Sequence, residues 1–205
     1  TVETPLYRAV ISSGGGRLQE WVIHYRGEKP LVVFDALGPE GLMVQRAGAQ
    51  AQTIPFHLSA EHLRLGKDTP SGELRLTGED GFGLRVTETL RFEADSYLVE
   101  RQIKVENRHT VAQGVELVLS WSAPLEWPKD QAERFQGQRP VRVVRVTNGT
   151  VRREDLANIG DLSGGGQWVG LESEWYLSAL IPKSPGFTLT GRKGNGSVRV
   201  GLRAV

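Results

Sequence analysis

The chain of 205 residues contains no cysteine, which excludes disulfide bonds, thiol nucleophiles and cysteine-ligated zinc sites. Its apolar runs are all shorter than the ~18 residues that a membrane-spanning helix requires. The charges almost cancel, since 25 basic and 24 acidic residues leave a formal net charge of +1. Such a balance provides no overall field to attract nucleic acid or anionic lipid, so we expect no nucleic-acid partner.

Familiar catalytic motifs are also missing. The glycine runs Gly14–Gly16 and Gly164–Gly166 lack the Lys-Ser/Thr pair of a phosphate loop, and they favour tight turns with positive φ. No serine lies in a Gly-x-Ser-x-Gly elbow. Metal-binding spacings are absent among the four histidines, His24, His57, His62 and His109. We therefore expect no cofactor, no metal and no catalytic residue.

Short alternating segments dominate what remains and predict an all-β fold with little helix. Three consecutive segments, Leu84–Phe92, Tyr97–Glu106 and Val115–Trp121, alternate apolar and polar residues and predict a three-stranded meander with one wet face. Asn148-Gly149 is a strong hairpin signal, and Lys129–Arg134 is the main candidate for a helical turn. With 25 glycines and 10 prolines, the chain predicts one wide antiparallel β-sandwich that forms a single domain over residues 1–205.

The most apolar run of the chain is Trp175–Ile181, which Pro182 closes. Both of its alternating faces are mainly nonpolar, a pattern typical of a strand buried on both sides. We therefore predict a central strand here. Tryptophan is highly buried on average, so Trp168 and Trp175 are expected in the core.

Two carboxylates beside these tryptophans offer an alternative. Glu172 and Glu174 have the spacing of one strand face, and aromatic platforms beside carboxylates are a common way to build a sugar site. General acid–base chemistry would also require unequal environments for the two groups. The sequence leaves open whether Trp168, Glu172, Glu174 and Trp175 form a binding site or a solvated strand face next to the core.

Several segments together resemble the large periplasmic domain of bacterial YidC-type membrane protein insertases. They are Val2-Glu-Thr-Pro-Leu-Tyr7, Ser12-Ser-Gly-Gly-Gly16 with Leu18–Tyr25, Thr89–Val99 with Val105-Glu-Asn107, and Gly166-Gln-Trp-Val-Gly-Leu171 with Trp175–Pro182. Each motif alone is moderately specific, but their order along nearly the whole chain makes the resemblance a strong one.

The resemblance implies a β-supersandwich related to galactose mutarotase-like domains, on the periplasmic face of the bacterial inner membrane. The implied role is that of a non-catalytic scaffold or interaction module near the Sec translocon. Its implied partners are the translocon, its accessory subunits and nascent membrane proteins. Motifs for the acid/base His and Glu of mutarotases are absent. Family members usually continue through another strand and a helical segment, so the chain is expected to stop short of these at Val205.

A second function from another class remains in competition. It is a carbohydrate-binding or aldose-epimerase-like β-sandwich with Glu172 or Glu174 in a groove. A shared fold does not imply a shared function, so the relation to mutarotases adds little to this alternative.

Overall fold

The structure is a computed structural model that describes residues 1–24, 31–32, 41–134, 137–194 and 196–205. Their regular secondary structure is almost entirely strand, as the alternation predicts, with a short α-helix and a 3-10 turn. Within them, no helix is long and apolar enough to cross a membrane. The chain divides into two compact units. Unit 1 comprises residues 1–35 and 41–114, and unit 2 comprises residues 36–40 and 115–205.

Unit 1 is built from short N-terminal strands and three long ones. In chain order its described strands are β1 (Val2–Glu3), β2 (Tyr7–Ile11), β3 (Leu18–Ile23), β4 (Leu31–Val32), β5 (Leu42–Arg46), β6 (Gln52–Thr53), β7 (Phe56–Leu58), β8 (Leu63–Arg64), β9 (Ser71–Glu79), β10 (Leu84–Glu93) and β11 (Glu100–Asn107). One sheet has the order β4-β3-β2-β1-β8, in which only the β1–β8 pair is parallel. A second sheet, β11-β10-β9-β7, is wholly antiparallel.

The N-terminal stretch forms β1 and β2, which pair antiparallel, and a glycine run then leads to β3. The glycine run after β2 forms a tight turn, in which Gly15 and Gly16 have φ values of 71° and 62°. Tyr25, the last residue of the segment Leu18–Tyr25, lies outside the described residues. In the core of this sheet, the ring of Tyr7 is stacked on that of Trp21 with 4.1 Å between centroids. Burial raises the pKa of the Tyr7 phenol to about 12.

A buried ion pair interrupts the apolar face of the second sheet. Every second residue of β10 is buried, and Glu88 shares this face with leucine, valine and phenylalanine side chains. Its carboxylate is fully inaccessible, and Nη2 of Arg101 on β11 lies 2.7 Å from both of its oxygens. Gly16 covers the pair so closely that an added Cβ would lie 2.5 Å from Glu88 Oε2. A full charge pair therefore occupies a core position of unit 1.

Unit 2 contains the remaining elements. They are β12 (Val115–Pro124), α1 (Lys129–Arg134), β13 (Arg142–Thr147), β14 (Thr150–Asp155), a 3-10 turn (Leu156–Asn158), β15 (Leu162–Gly164), β16 (Trp168–Glu172), β17 (Leu177–Leu180), β18 (Phe187–Lys193) and β19 (Ser197–Ala204). The strands β15, β18, β19 and β12 lie side by side in that order, and β14, β13, β16 and β17 form a second sheet. All of these pairs are antiparallel.

In unit 2 the predicted helical turn and the predicted hairpin are confirmed, whereas the predicted pairing of the third meander strand is wrong. The predicted helical turn forms as α1, and β13 and β14 are joined by a two-residue turn in which Asn148 and Gly149 have φ values of 51° and 75°. The predicted meander holds for β10 and β11 but not for its third strand. β12 pairs instead with β19 over eight residues. Alternation fixes which face of a strand is apolar, but it does not select the partner strand.

The interior of unit 2 lies where β16 packs against β19. Val169 and Leu171 of β16 are inaccessible, as are Val198 and Val200 of β19. Arg199 and Arg203 of β19 alternate with these valines and are exposed, as the pattern of that strand predicts.

The predicted central strand Trp175–Ile181 is wrong in position and in burial. Its regular part is β17, which lies at the edge of the second sheet of unit 2. Burial was predicted for both faces, but one of them is open, since Trp175 is 59% exposed, Leu177 47% and Ile181 54%. The strand with the buried pattern is its neighbour, β16. Apolar content alone does not distinguish a central strand from an edge strand that carries an apolar surface.

The buried Glu88–Arg101 pair predicts that loss of Arg101 lowers the free energy of unfolding by an amount that depends on pH. Burial raises the pKa of Glu88 above its ordinary value of 4.5, and Arg101 opposes that rise. Arg101→Leu should therefore raise the pKa further and destabilise the chain by about 3–5 kcal/mol at pH 8. A carboxyl with a raised folded-state pKa holds a proton that the unfolded chain releases, so stability falls as pH rises through that pKa. Urea unfolding between pH 5 and pH 8 should show a larger cost at the higher pH.

The double variant Glu88→Leu, Arg101→Leu is the matched control. It removes the charge together with its partner and should recover much of the lost stability, with no added pH dependence. An Arg101→Leu cost that is equal at pH 5 and pH 8 would contradict a buried carboxylate at this position.

Candidate functional site

The candidate site is built on the β16–β17 hairpin, whose tip is the turn of residues 173–176. The Ser173 hydroxyl accepts hydrogen bonds from the backbone N–H groups of Trp175 and Tyr176, each at 3.1 Å. The Ser173 N–H donates to the Tyr176 carbonyl at 2.9 Å. The buried Ser173 thus satisfies the backbone hydrogen-bonding groups of the turn. Glu174 and Trp175, the two residues between Ser173 and Tyr176, are exposed to solvent.

A loop that begins at Gly137 supports this tip. The Glu174 N–H donates to the Gly137 carbonyl at 3.1 Å, and the Tyr176 hydroxyl donates to the Gln138 carbonyl at 2.6 Å. Burial raises the pKa of the Tyr176 phenol, so it remains a neutral donor at physiological pH. Gly137 has a φ of 74°, and an added Cβ would lie 2.2 Å from Nε1 of Trp175. The indole therefore lies directly against the glycine backbone.

Glu172 ends β16 in a different environment from Glu174. Its Oε1 accepts a hydrogen bond from Nε of Arg153 at 3.1 Å, and its Oε2 lies 3.7 Å from Nη1 of Arg142. Arg142 also approaches Asp155, so the charges continue across three neighbouring strands. Glu172 is thus held in a surface network, and two arginines already occupy its carboxylate.

The structure brings together only part of the predicted set. Glu174 and Trp175 are adjacent at the tip, where both contact Gly137. The predicted common strand face for Glu172 and Glu174 is wrong, because β16 ends at Glu172 and Glu174 lies in the turn. Trp168 is half-buried at the far end of β16, four residues and about 13 Å from Glu172. The set is therefore not one compact pocket.

What the hairpin presents is an apolar surface that the predicted buried strand did not anticipate. We call Trp175, Leu177 and Ile181 the apolar edge. These residues alternate along one face of the β17 segment and are all about half exposed. The side chains between them, Tyr176, Ser178 and Leu180, point the other way and are more buried. The two-residue period of large apolar side chains was visible in the sequence, but both faces of the run were predicted to be buried.

Other polar groupings in the described ranges do not form a metal centre. No group of three or more His, Asp or Glu side chains there is placed to hold a metal ion. The buried Glu88–Arg101 pair was not predicted from the sequence, although Glu88 lies on the same face of β10 as the buried apolar residues. A charged residue on an apolar strand face is the signal that could have found it.

The described structure thus defines a nearly all-β protein with an exposed apolar hairpin edge. The chain belongs to the YidC periplasmic domain family, whose family model matches residues 1–204.

Curated relatives agree with this assignment. The membrane protein insertase YidC of Nitratidesulfovibrio vulgaris (strain DP4) is 27% identical over 218 residues, covering 98% of this chain and 39% of that protein. The YidC insertase of Chlorobium phaeovibrioides (strain DSM 265 / 1930) is 26% identical, covering 96% of this chain and 36% of that protein. The chain thus spans less than two fifths of the length of these relatives.

Among solved structures, the galactosidase domain of alpha-galactosidase-sucrose kinase, AgaSK, aligns with a TM-score of 0.47. The alignment covers 80% of this chain and 26% of that chain at 11% identity. Similarity at this level supports no conclusion about function.

The exposure of Trp175 predicts a small effect on stability. Trp175→Ala should cost about 1 kcal/mol or less, because the side chain is 59% exposed and its loss opens no interior cavity. Leu171→Ala on the neighbouring strand removes an inaccessible side chain and should cost about 2–5 kcal/mol. Chemical denaturation of both variants tests this difference. Equal costs would show that Trp175 is a core residue.

Proposed function

We propose that the chain is the interaction module of a membrane protein insertase. It acts at the periplasmic face of the bacterial inner membrane, near the Sec translocon. It is non-catalytic and contacts nascent membrane proteins, the translocon or its accessory subunits. Family membership supports the insertase context, and the apolar edge is the observation that supports an interaction role.

The apolar edge suits a binding surface for three reasons. Large apolar side chains lie together on one exposed face, and contiguous patches of this kind mark interaction sites more often than scattered ones do. Tryptophan is enriched among residues that dominate binding energy. Finally, Gly137 and Ser173 hold Trp175 in place, so little ordering is required when a partner binds.

The proposed architecture for the module remains the wide β-supersandwich of the galactose mutarotase type. The contact between β16 and β19 within unit 2 supports it, as does the alternation of buried and exposed residues in β10 and β19.

Site-specific photo-crosslinking tests the interaction role. A photoreactive amino acid at Trp175 should cross-link to nascent membrane proteins or to translocon components in cells that synthesise the protein. Val151 is the matched control, because it is 48% exposed on β14 at the opposite edge of the same sheet. Cross-links of equal yield at the two positions, or none at Trp175, would remove the apolar edge as the contact surface.

Carbohydrate binding is the second candidate, and the observation that favours it is the exposed indole of Trp175 beside the Glu174 carboxylate. If this function holds, titration with common monosaccharides should change tryptophan fluorescence in the native chain, and the change should be lost in Trp175→Phe. Flat titrations across these sugars would remove the candidate.

A further inference from the structure

The two edges of the β14-β13-β16-β17 sheet differ in a way that bears on its partner. Strand β14 carries two arginines, a glutamate and an aspartate among its six residues. Charged residues of this kind block the addition of another strand. The four residues of β17, Leu-Ser-Ala-Leu, carry no charge. The charges on β14 thus protect that edge of the sheet against strand addition, whereas the β17 edge has no such protection.

The backbone of β17 has free groups on its open side. The Ser173 N–H bonds the Tyr176 carbonyl, which makes residues 173 and 176 a hydrogen-bonded pair of the hairpin. Hydrogen-bonded pairs alternate along an antiparallel ladder, so Ser178 bonds to Leu171 on β16, while the N–H and C=O groups of Leu177 and Ala179 point away from it. In the described part of the chain, no strand lies on that side.

The direction of the Glu172 carbonyl supports this assignment. That carbonyl accepts a hydrogen bond from the Val141 N–H, on the side of β13 rather than β17. Glu172 is paired with Leu177 in the register, so the 172–177 pair is not hydrogen-bonded across the hairpin. Pro182, whose nitrogen has no hydrogen, falls on the inward parity and removes no outward donor.

Side chains beside this edge indicate what an added strand would carry. Leu177 and Ile181 lie on the same face of the β17 segment, four residues apart. Their side chains can pack against a strand that has apolar residues at alternate positions. At the tip, Glu174 is exposed and forms no ion pair with the described residues. A lysine or arginine near the end of the added strand would complement it.

We propose that the outer edge of β17 binds an extended segment of a partner polypeptide as an added strand. That segment has apolar residues at alternate positions and a basic residue next to Glu174. The inference rests on the proposed function, because it names the chemistry of the partner for the same apolar edge. Main-chain hydrogen bonds to Leu177 and Ala179 give affinity, and the apolar edge gives selectivity.

A fluorescent peptide with alternating valine and threonine and one terminal lysine is a suitable probe. Its binding to the 205-residue chain can be followed by anisotropy. Ala179→Pro removes the outward N–H alone, a change that edge strands tolerate, and it should weaken binding by about tenfold or more without altering the far-ultraviolet circular dichroism. Ser178→Pro removes an inward ladder bond instead and should destabilise the fold.

Two further comparisons keep the test independent of proline. Leu177→Lys places a charge on an already exposed position and should also weaken binding by about tenfold or more. The matched variant Val151→Lys, on the charged edge strand β14, should leave peptide binding unchanged. In the peptide, N-methylation of the alternate amides that face β17 should abolish binding, whereas methylation of the other amides should not.

The remaining outcomes overturn either the inference or the proposed function, and they distinguish the two. Unchanged binding in Ala179→Pro and Leu177→Lys would mean that the peptide does not add to β17. Self-association of the chain that sedimentation detects and Ala179→Pro abolishes would make a second copy the occupant. If the peptide fails to bind while cross-links at Trp175 persist, strand addition falls and the interaction role stands. If the peptide binds but Trp175 gives no cross-links in cells, the proposed function fails instead.

Discussion

Satisfaction of backbone hydrogen bonds is the constraint on which the rest of this structure depends. An open sheet always leaves two strands with one side unpaired, and those N–H and C=O groups have to meet water, charge or a partner. In the β14-β13-β16-β17 sheet, the chain places charges on β14 and an uncharged, apolar segment on β17. The residues of an edge strand thus determine whether another strand can pair with it, as well as how the edge strand packs.

The hairpin tip shows how the same constraint prepares a surface. Ser173 satisfies the two N–H groups that a tight turn would otherwise leave free, and Tyr176 ties the turn to the loop at Gln138. The backbone of the turn is satisfied from inside, and within the described residues the side chains of Glu174 and Trp175 are not used to hold it. A rigid turn that displays an indole and a carboxylate is the result.

Local features could be predicted from the sequence because their causes are local. The Asn148-Gly149 turn follows from the φ values that only a few residues adopt readily, and the strand faces of β10 and β19 follow from alternation. The partner of β12 could not be predicted, because several strands offer a compatible apolar face. The YidC periplasmic domain family, by contrast, was recognisable from the order of short motifs along the chain.

The candidate site was only half predictable for a related reason. Trp168, Glu172, Glu174 and Trp175 were grouped as one candidate set, but the sequence could not show that Glu172 is held by Arg142 and Arg153, since this contact depends on the register of β13, β14 and β16. Burial of Trp175 was misjudged because an apolar run has the same composition whether it packs inside a sheet or forms a contact surface at its edge.

The pairing of β12 with β19 has a consequence for the order of events during biogenesis. Its ladder joins Leu117 to Ala204, the beginning of unit 2 to the end of the chain. A ribosome makes β12 long before β19, so the side of β12 that pairs with β19 stays open for about 80 residues of synthesis, and such non-local pairing is slow. Until β19 is made, that side of β12 is an open strand edge able to pair with other segments.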